Sequence, residues 1–187
     1  MLTEGDLDPY FDAIQTEAFR LEALPAYAVS SESAALRAYL AGAPYQKSQA
    51  GQAFKEFIRN QVEAGILWQR VRVVRGPLSD YERWECEWGY TVNEELGYPT
   101  FILDLAETPH PPGLPGYDWW MLDERIVLRF HYDSDGAFLG ADPLDEPDQV
   151  AEHQRYRDRA LAAAVPFPLY WAAHPQYWRE NWLPARA

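Results

Sequence analysis

Arg72, Arg129 and His131, taken with Tyr81, Glu85 and Asp118, are the side chains whose types and spacing best suit chemistry in this sequence. Arg70 and Arg72 alternate with Val71 and Val73, and Arg129 and His131 alternate with Leu128 and Phe130, so each pair shares one face of a strand. If those two faces adjoin beneath the helix that carries Tyr81, Trp84, Glu85 and Trp88, the cations converge under aromatic rings, with Glu85 and Asp118 as counter-ions. Such a site would hold an anionic or planar ligand through bidentate guanidinium contacts and stacking. The competing reading makes them the solvated faces of two half-covered strands, which are commonly charged.

Other chemistries read less well. No serine stands in a G-x-S-x-G nucleophile elbow; Ser79 and the Ser30/Ser31 pair read as helix caps. Cys86 lies between Glu85 and Glu87, whereas a reactive thiol needs electropositive surroundings. The four histidines, His110, His131, His153 and His174, are widely spaced and belong to no zinc motif. Asp133-Ser134-Asp135-Gly136 has a hairpin signal, and its glycine comes too early for a calcium loop. Gly113 and Gly116 are embedded among prolines and form no phosphate-binding loop. The expectation is no catalytic motif, no metal and no cofactor.

The elements that must position these residues follow from periodicity. Asp8 as N-cap and Pro9 at the first helical position open a helix, with Phe11, Ile14 and Ala18 on one side. A short strand follows, in which Phe19 and Leu21 alternate with Arg20 and Glu22. Ser30 or Ser31 caps a second helix that ends at Gly42, and a third runs from about Gln52 to Ala64. Leu67 to Val74 is the clearest strand. Ser79 and Glu82 then make a capping box for the aromatic helix. Tyr98 to Leu105 reads as a strand, and the proline-rich stretch Thr108 to Gly116 as a loop. Trp119 to Leu122, Ile126 to Tyr132 and Ala137 to Ala141 form a meander. A last long helix reaches about Ala164, and an aromatic extension occupies about residues 168–187. The fold class expected is mixed α/β: one domain over 1–187, with a largely antiparallel sheet, a meander in the C-terminal half and flanking helices.

Composition bounds the function. With 29 acidic against 16 basic residues the net charge is −13, so direct binding to a phosphate backbone is not expected. A single cysteine, no apolar run of membrane length and no basic leader fit a cytoplasmic protein without membrane contact. Eight Trp and twelve Tyr supply rings for a core, an interface or a ligand pocket.

The segments Arg70 to Glu85, Leu114 to Asp123, Val127 to Tyr132 and Gly136 to Gly140, with Phe19-Arg-Leu-Glu22 and the stretch ending at Tyr170, resemble an actinobacterial family of unknown function often encoded beside helix-turn-helix regulators. The resemblance implies a cytoplasmic location and a regulatory neighbourhood, and no activity. The Trp-rich tail after Tyr170 looks like an extension of that pattern. A second likeness is to the phospholipase-D-like fold, used without catalysis in some regulators. Its H-x-K pattern is missing here, since His131 is followed by Tyr132-Asp133 and His153 by Gln154-Arg155. The expected function is therefore a non-catalytic module that binds a small anionic or aromatic ligand or a partner protein, working with a transcriptional regulator; homodimerisation is compatible with it. The alternative is a small enzyme with His131 as base and Arg72 or Arg129 as anion clamp.

Overall fold

The computed structural model describes residues 1–45 and 49–182. After a short α1 (Asp8–Asp12), strand β1 (Glu17–Glu22) leads through α2 (Ser33–Leu40) and α3 (Gln49–Glu63) to β2 (Leu67–Val74). From β2 the chain passes through α4 (Asp80–Trp84), a π-helical stretch (Glu85–Tyr90) and α5 (Thr91–Glu95) to β3 (Thr100–Asp104). These three strands are parallel, which is why helical crossovers join them. β4 (Trp119–Leu122), β5 (Ile126–Tyr132) and β6 (Phe138–Leu144) form an antiparallel meander on the β1 edge. After α6 (Pro147–Ala163), β7 (Val165–Pro166) adds antiparallel to β3, and α7 (Phe167–Ala173) and α8 (Arg179–Trp182) follow. The order is β6-β5-β4-β1-β2-β3-β7, a mixed α/β fold whose sheet is mostly antiparallel.

Period-two alternation gives this sheet two buried faces. One carries Phe19, Leu21, Val71, Val73, Trp119, Met121 and Val127, packed beneath α6 through Tyr156 and Ala160. The other begins with Ala18, Trp68, Trp120 and Leu128, covered by Phe11 of α1 and by Phe57 and Ile58 of α3. Farther along β1 and β2 that second face continues as Arg20, Glu22, Arg70 and Arg72, of which the first three line the bottom of a cavity.

Several local expectations are corrected. Asp8 is the first helical residue rather than the cap, and Ala18 belongs to β1, not to the helix. The entry to α1 is set by a preceding turn in which the Asp6 carboxylate accepts from Thr3 N–H at 2.8 Å and Thr3 Oγ at 2.6 Å. Neither Ser30 nor Ser31 caps α2; Glu32 precedes it, and its carboxylate accepts a 2.7 Å bond from Tyr81 Oη instead. β6 runs on to Leu144, with Pro143 beside Leu128, as an edge strand permits. Within the expected aromatic extension, Phe167 and Pro168 open α7.

The capping box is present as expected: Glu82 N–H donates to Ser79 Oγ at 3.2 Å, and Ser79 N–H to Glu82 Oε2 at 2.8 Å. Ser79→Ala should therefore cost about 1 kcal/mol in urea unfolding, as loss of such caps does, with little change in any ligand affinity. The Asp133–Gly136 turn is closed by the Asp133 carboxylate, which accepts from Asp135 N–H at 2.9 Å and Ala137 N–H at 2.8 Å. At Gly136, with φ of 84°, a Cβ would lie 2.7 Å from the Ala26 carbonyl oxygen. Glycine thus lets the hairpin press against residues 26–28, where Gly136 O accepts from Ala28 N–H at 2.9 Å and Tyr27 is held in place.

Candidate functional site

Two guanidiniums, of Arg20 and Arg70, line the floor of a cavity of about 500 Å³, and that of Arg72 lies buried behind them. Arg20 of β1 and Arg70 of β2 are register partners, so their side chains stand side by side. Glu22 bridges them, with Oε1 at 3.0 Å from Arg20 Nε and Oε2 at 3.5 Å from Arg70 Nε. Tyr90 Oη donates to the same carboxylate at 3.2 Å. Burial pushes the Glu22 carboxyl up, but Arg20, Arg70 and Arg72 outweigh it and hold it well below the usual carboxylate range. Arg72, only 1% exposed, lies deeper, with Nη2 at 3.1 Å from Glu85 Oε2 and 3.9 Å from Glu82 Oε1. β2 can carry two arginines inward because it is central, with both faces covered.

The walls are aromatic. The Tyr27 ring lies 5.2 Å from the Arg72 guanidinium and 5.8 Å from that of Arg20. Its hydroxyl donates to Asp118 at 2.6 Å, and Asp118 also accepts from Ala23 N–H at 2.8 Å. Trp120, Phe130 and Tyr132 close the meander side, and Tyr81, Trp84 and Trp88 the roof. The roof helix is capped at Ser79 and widens into π-helical geometry at Glu85–Tyr90, where Thr91 Oγ1 donates to Cys86 O at 3.0 Å. Such π segments recur at functional sites; here Glu85, Trp88, Gly89 and Tyr90 all line the cavity. Burial, reinforced by Glu22 and Glu32, pushes the Glu85 carboxyl up despite Arg72. The Arg72 guanidinium keeps its charge, because Glu85, the neighbouring tyrosines and Glu22 offset its burial. The contested proton in this pair is therefore the one on Glu85. Burial likewise pushes up the carboxyls of Glu32 and Asp118.

Of the six residues expected to share a site, Arg72, Tyr81 and Glu85 are brought together here, and Asp118 stands behind Tyr27 as its anchor. Arg129 and His131 are not part of this cavity. The lining residues of β5 are Phe130 and Tyr132, which alternate with them and point the other way. Arg129 pairs in register with Trp119 on the face beneath α6, its guanidinium 4.2 Å from the Tyr117 ring centroid. His131 pairs with Asp142 across to β6, with 2.8 Å between Nε2 and Oδ2. Arg20, Glu22, Tyr27 and Glu32 are not among the expected site residues, and Arg70 enters only as the face partner of Arg72. Arg20 and Glu22 are signalled by their alternation with Phe19 and Leu21, and Arg70 by its alternation with Val71.

After α7 the chain returns to brace the roof. Arg179 Nη1 donates to Ala43 O at 2.6 Å, and its Nε lies 3.4 Å from Glu87 Oε1, while its guanidinium stands over Tyr39 and Trp88. Cys86 is buried on the inner side of this helix, where burial drives its thiol pKa well up.

Fold and cavity together define a mixed α/β domain with an aromatic-walled chamber over a buried charged floor. The chain belongs to the family described as a domain of unknown function, DUF6879, whose model matches residues 5–172. Among solved structures it is similar to the crystal structure of a phospholipase D family member, Nuc from Salmonella typhimurium: identity is 9%, coverage 83% of this chain and 84% of that chain, and TM-score 0.46. No curated protein matches it. Among the described residues no helix is long and apolar enough to cross a membrane.

Proposed function

We propose that this protein is a non-catalytic binding module whose cavity takes a small planar aromatic ligand, and that it serves as the ligand-sensing partner of a regulatory protein. One observation carries the reading: a chamber of about 500 Å³ in which tyrosine, tryptophan and phenylalanine rings surround a few converging charged groups. Small-molecule sites are built this way and reach this size. The resemblance to proteins encoded beside regulators supports the regulatory half. The enzyme reading with His131 as base draws no support from this chamber, since no histidine lines it.

Trp84, Trp88 and Trp120 line the chamber, so ligand entry should change their fluorescence. Titration with indole and naphthalene derivatives is expected to quench emission saturably. At a hundredfold excess over Kd the bound protein should gain roughly 2.7 kcal/mol in unfolding free energy. If the whole series leaves emission and melting temperature unchanged, the binding reading is wrong.

A further inference from the structure

The reading of the chamber as a ligand site leaves its charge preference open, and the floor supplies grounds for one. We infer that the chamber selects a planar aromatic monocarboxylate, which seats on the terminal nitrogens of Arg70 while Glu85 takes up one proton from solvent.

Arg70 lines the chamber and is only 8% exposed. Its Nε is committed, lying 3.2 Å from Tyr98 Oη and 3.5 Å from Glu22. Its guanidinium lies over the Tyr90 and Tyr98 rings, 5.3 and 4.9 Å from their centroids, and among the described residues no hydrogen bond runs from Nη1 or Nη2. Among the described residues, buried donors lack hydrogen-bond acceptors at Trp84 Nε1 and at Nε and Nη1 of Arg72. The deficit is of acceptors, so a fitting ligand brings acceptors. A carboxylate matches the two-nitrogen end of a guanidinium bidentately, and its attached ring would lie among the aromatic walls.

Arg20, Arg70 and Arg72 face the carboxyls of Glu22, Glu82, Glu85 and Asp118, with Glu32 on the wall, and the other two charged lining residues, Lys55 and Glu4, are of opposite sign and offset each other. An added anion needs one of these carboxyls neutralised. Glu85 is the one placed to do it. It lines the chamber and faces Arg70 and Arg72 of β2, Glu22 of β1 and Glu32 ahead of α2, with Glu82 on its own helix. Burial and the repulsion from Glu22 and Glu32 already push its carboxyl toward the acid form. The proton comes from solvent, and the ligand stays a carboxylate.

Three naphthalene probes test this by calorimetry: 2-naphthoate, the neutral 2-naphthamide and the cationic 2-naphthylmethylamine. Near pH 6, 2-naphthoate should bind at least about tenfold more tightly than either. Its affinity should fall by up to about tenfold per pH unit on the alkaline side, as Glu85 loses the proton that binding requires. Titrations in two buffers of different ionisation enthalpy should show uptake approaching about one proton there. Arg70→Gln should weaken 2-naphthoate at least about tenfold and 2-naphthamide clearly less. Glu85→Gln should bind 2-naphthoate with a flat pH profile. Equal or tighter binding of the amide or the amine overturns the inference but leaves the chamber a ligand site, as does a pH-independent affinity for 2-naphthoate. Failure of all three probes overturns both. The comparison of probes needs no variant, so it decides the matter even if Arg70→Gln does not fold.

Discussion

Arg72→Ala is expected to lower the unfolding free energy by about 3–5 kcal/mol, and the melting temperature by about 10 °C. The side chain is 1% exposed and ion-paired to Glu85 and Glu82, and its guanidinium lies 5.2 Å from the Tyr27 ring. Truncation removes that contact, opens a void between β2 and the roof helix, and leaves two buried carboxyls without their cation. Glu85, already biased toward the acid, would protonate and soften the loss without removing it. The charge component can be separated from the packing component. Arg72→Met combined with Glu85→Leu removes both ions and restores volume, and should recover more than half of the loss, since a buried pair replaced together by apolar groups is often neutral. Urea unfolding with circular dichroism measures both. A single Arg72→Ala within about 0.5 kcal/mol of wild type, the range of an ordinary surface substitution, would falsify the buried-pair account.

Glu22→Gln should be nearly as damaging at neutral pH, about 3 kcal/mol, because it strands two adjacent guanidiniums, that of half-buried Arg20 and that of buried Arg70. Its distinguishing mark is the pH dependence. The three arginines hold the folded-state pKa of Glu22 below its ordinary value of 4.5. The folded protein therefore binds this proton less readily than the unfolded chain. The stabilisation is fully present above the ordinary carboxylate range and is lost as pH falls through the lower folded value. The difference between wild type and Glu22→Gln should thus be constant from neutral pH to about pH 5 and shrink steadily below it. Glu85 shifts in the opposite sense: its stability contribution is greatest in acid and declines as pH rises through its raised folded value. A wild-type-minus-variant difference that does not change in acid would show that Glu22 acts through shape alone.

The roof and the meander were legible because local rules set them. Ser79 and Glu82 are three residues apart, so their reciprocal bonds depend only on the turn they close. Tyr81, Trp84, Glu85 and Trp88 follow helical spacing, and all four reach the chamber. β4 and β5 fall on Trp119–Leu122 and Ile126–Tyr132 as read, because Asp123 and Glu124, with φ of 54° and 53°, make the tight turn between them. Side-chain alternation likewise identified the arginine-bearing and valine-bearing sides of β2.

Alternation names two sides of a strand but not which sides of different strands coincide. That is set by pairing between residues far apart in the chain. Arg20 stands beside Arg70 and opposite Trp120, and Trp120 stands opposite Leu128. These pairings put Phe130 and Tyr132, not Arg129 and His131, on the face of the arginines. They also place β2 at the centre, where the sides bearing Arg70 and Arg72 are covered and their charges must be paired. The sequence by itself determined six of the seven strands, all but β7, together with the roof helix and the polarity of the strand faces. Only the tertiary structure decided that Arg20, Glu22, Arg70, Arg72 and Glu85 share one buried floor, because the energy of a buried charge depends on neighbours that long-range strand pairing supplies.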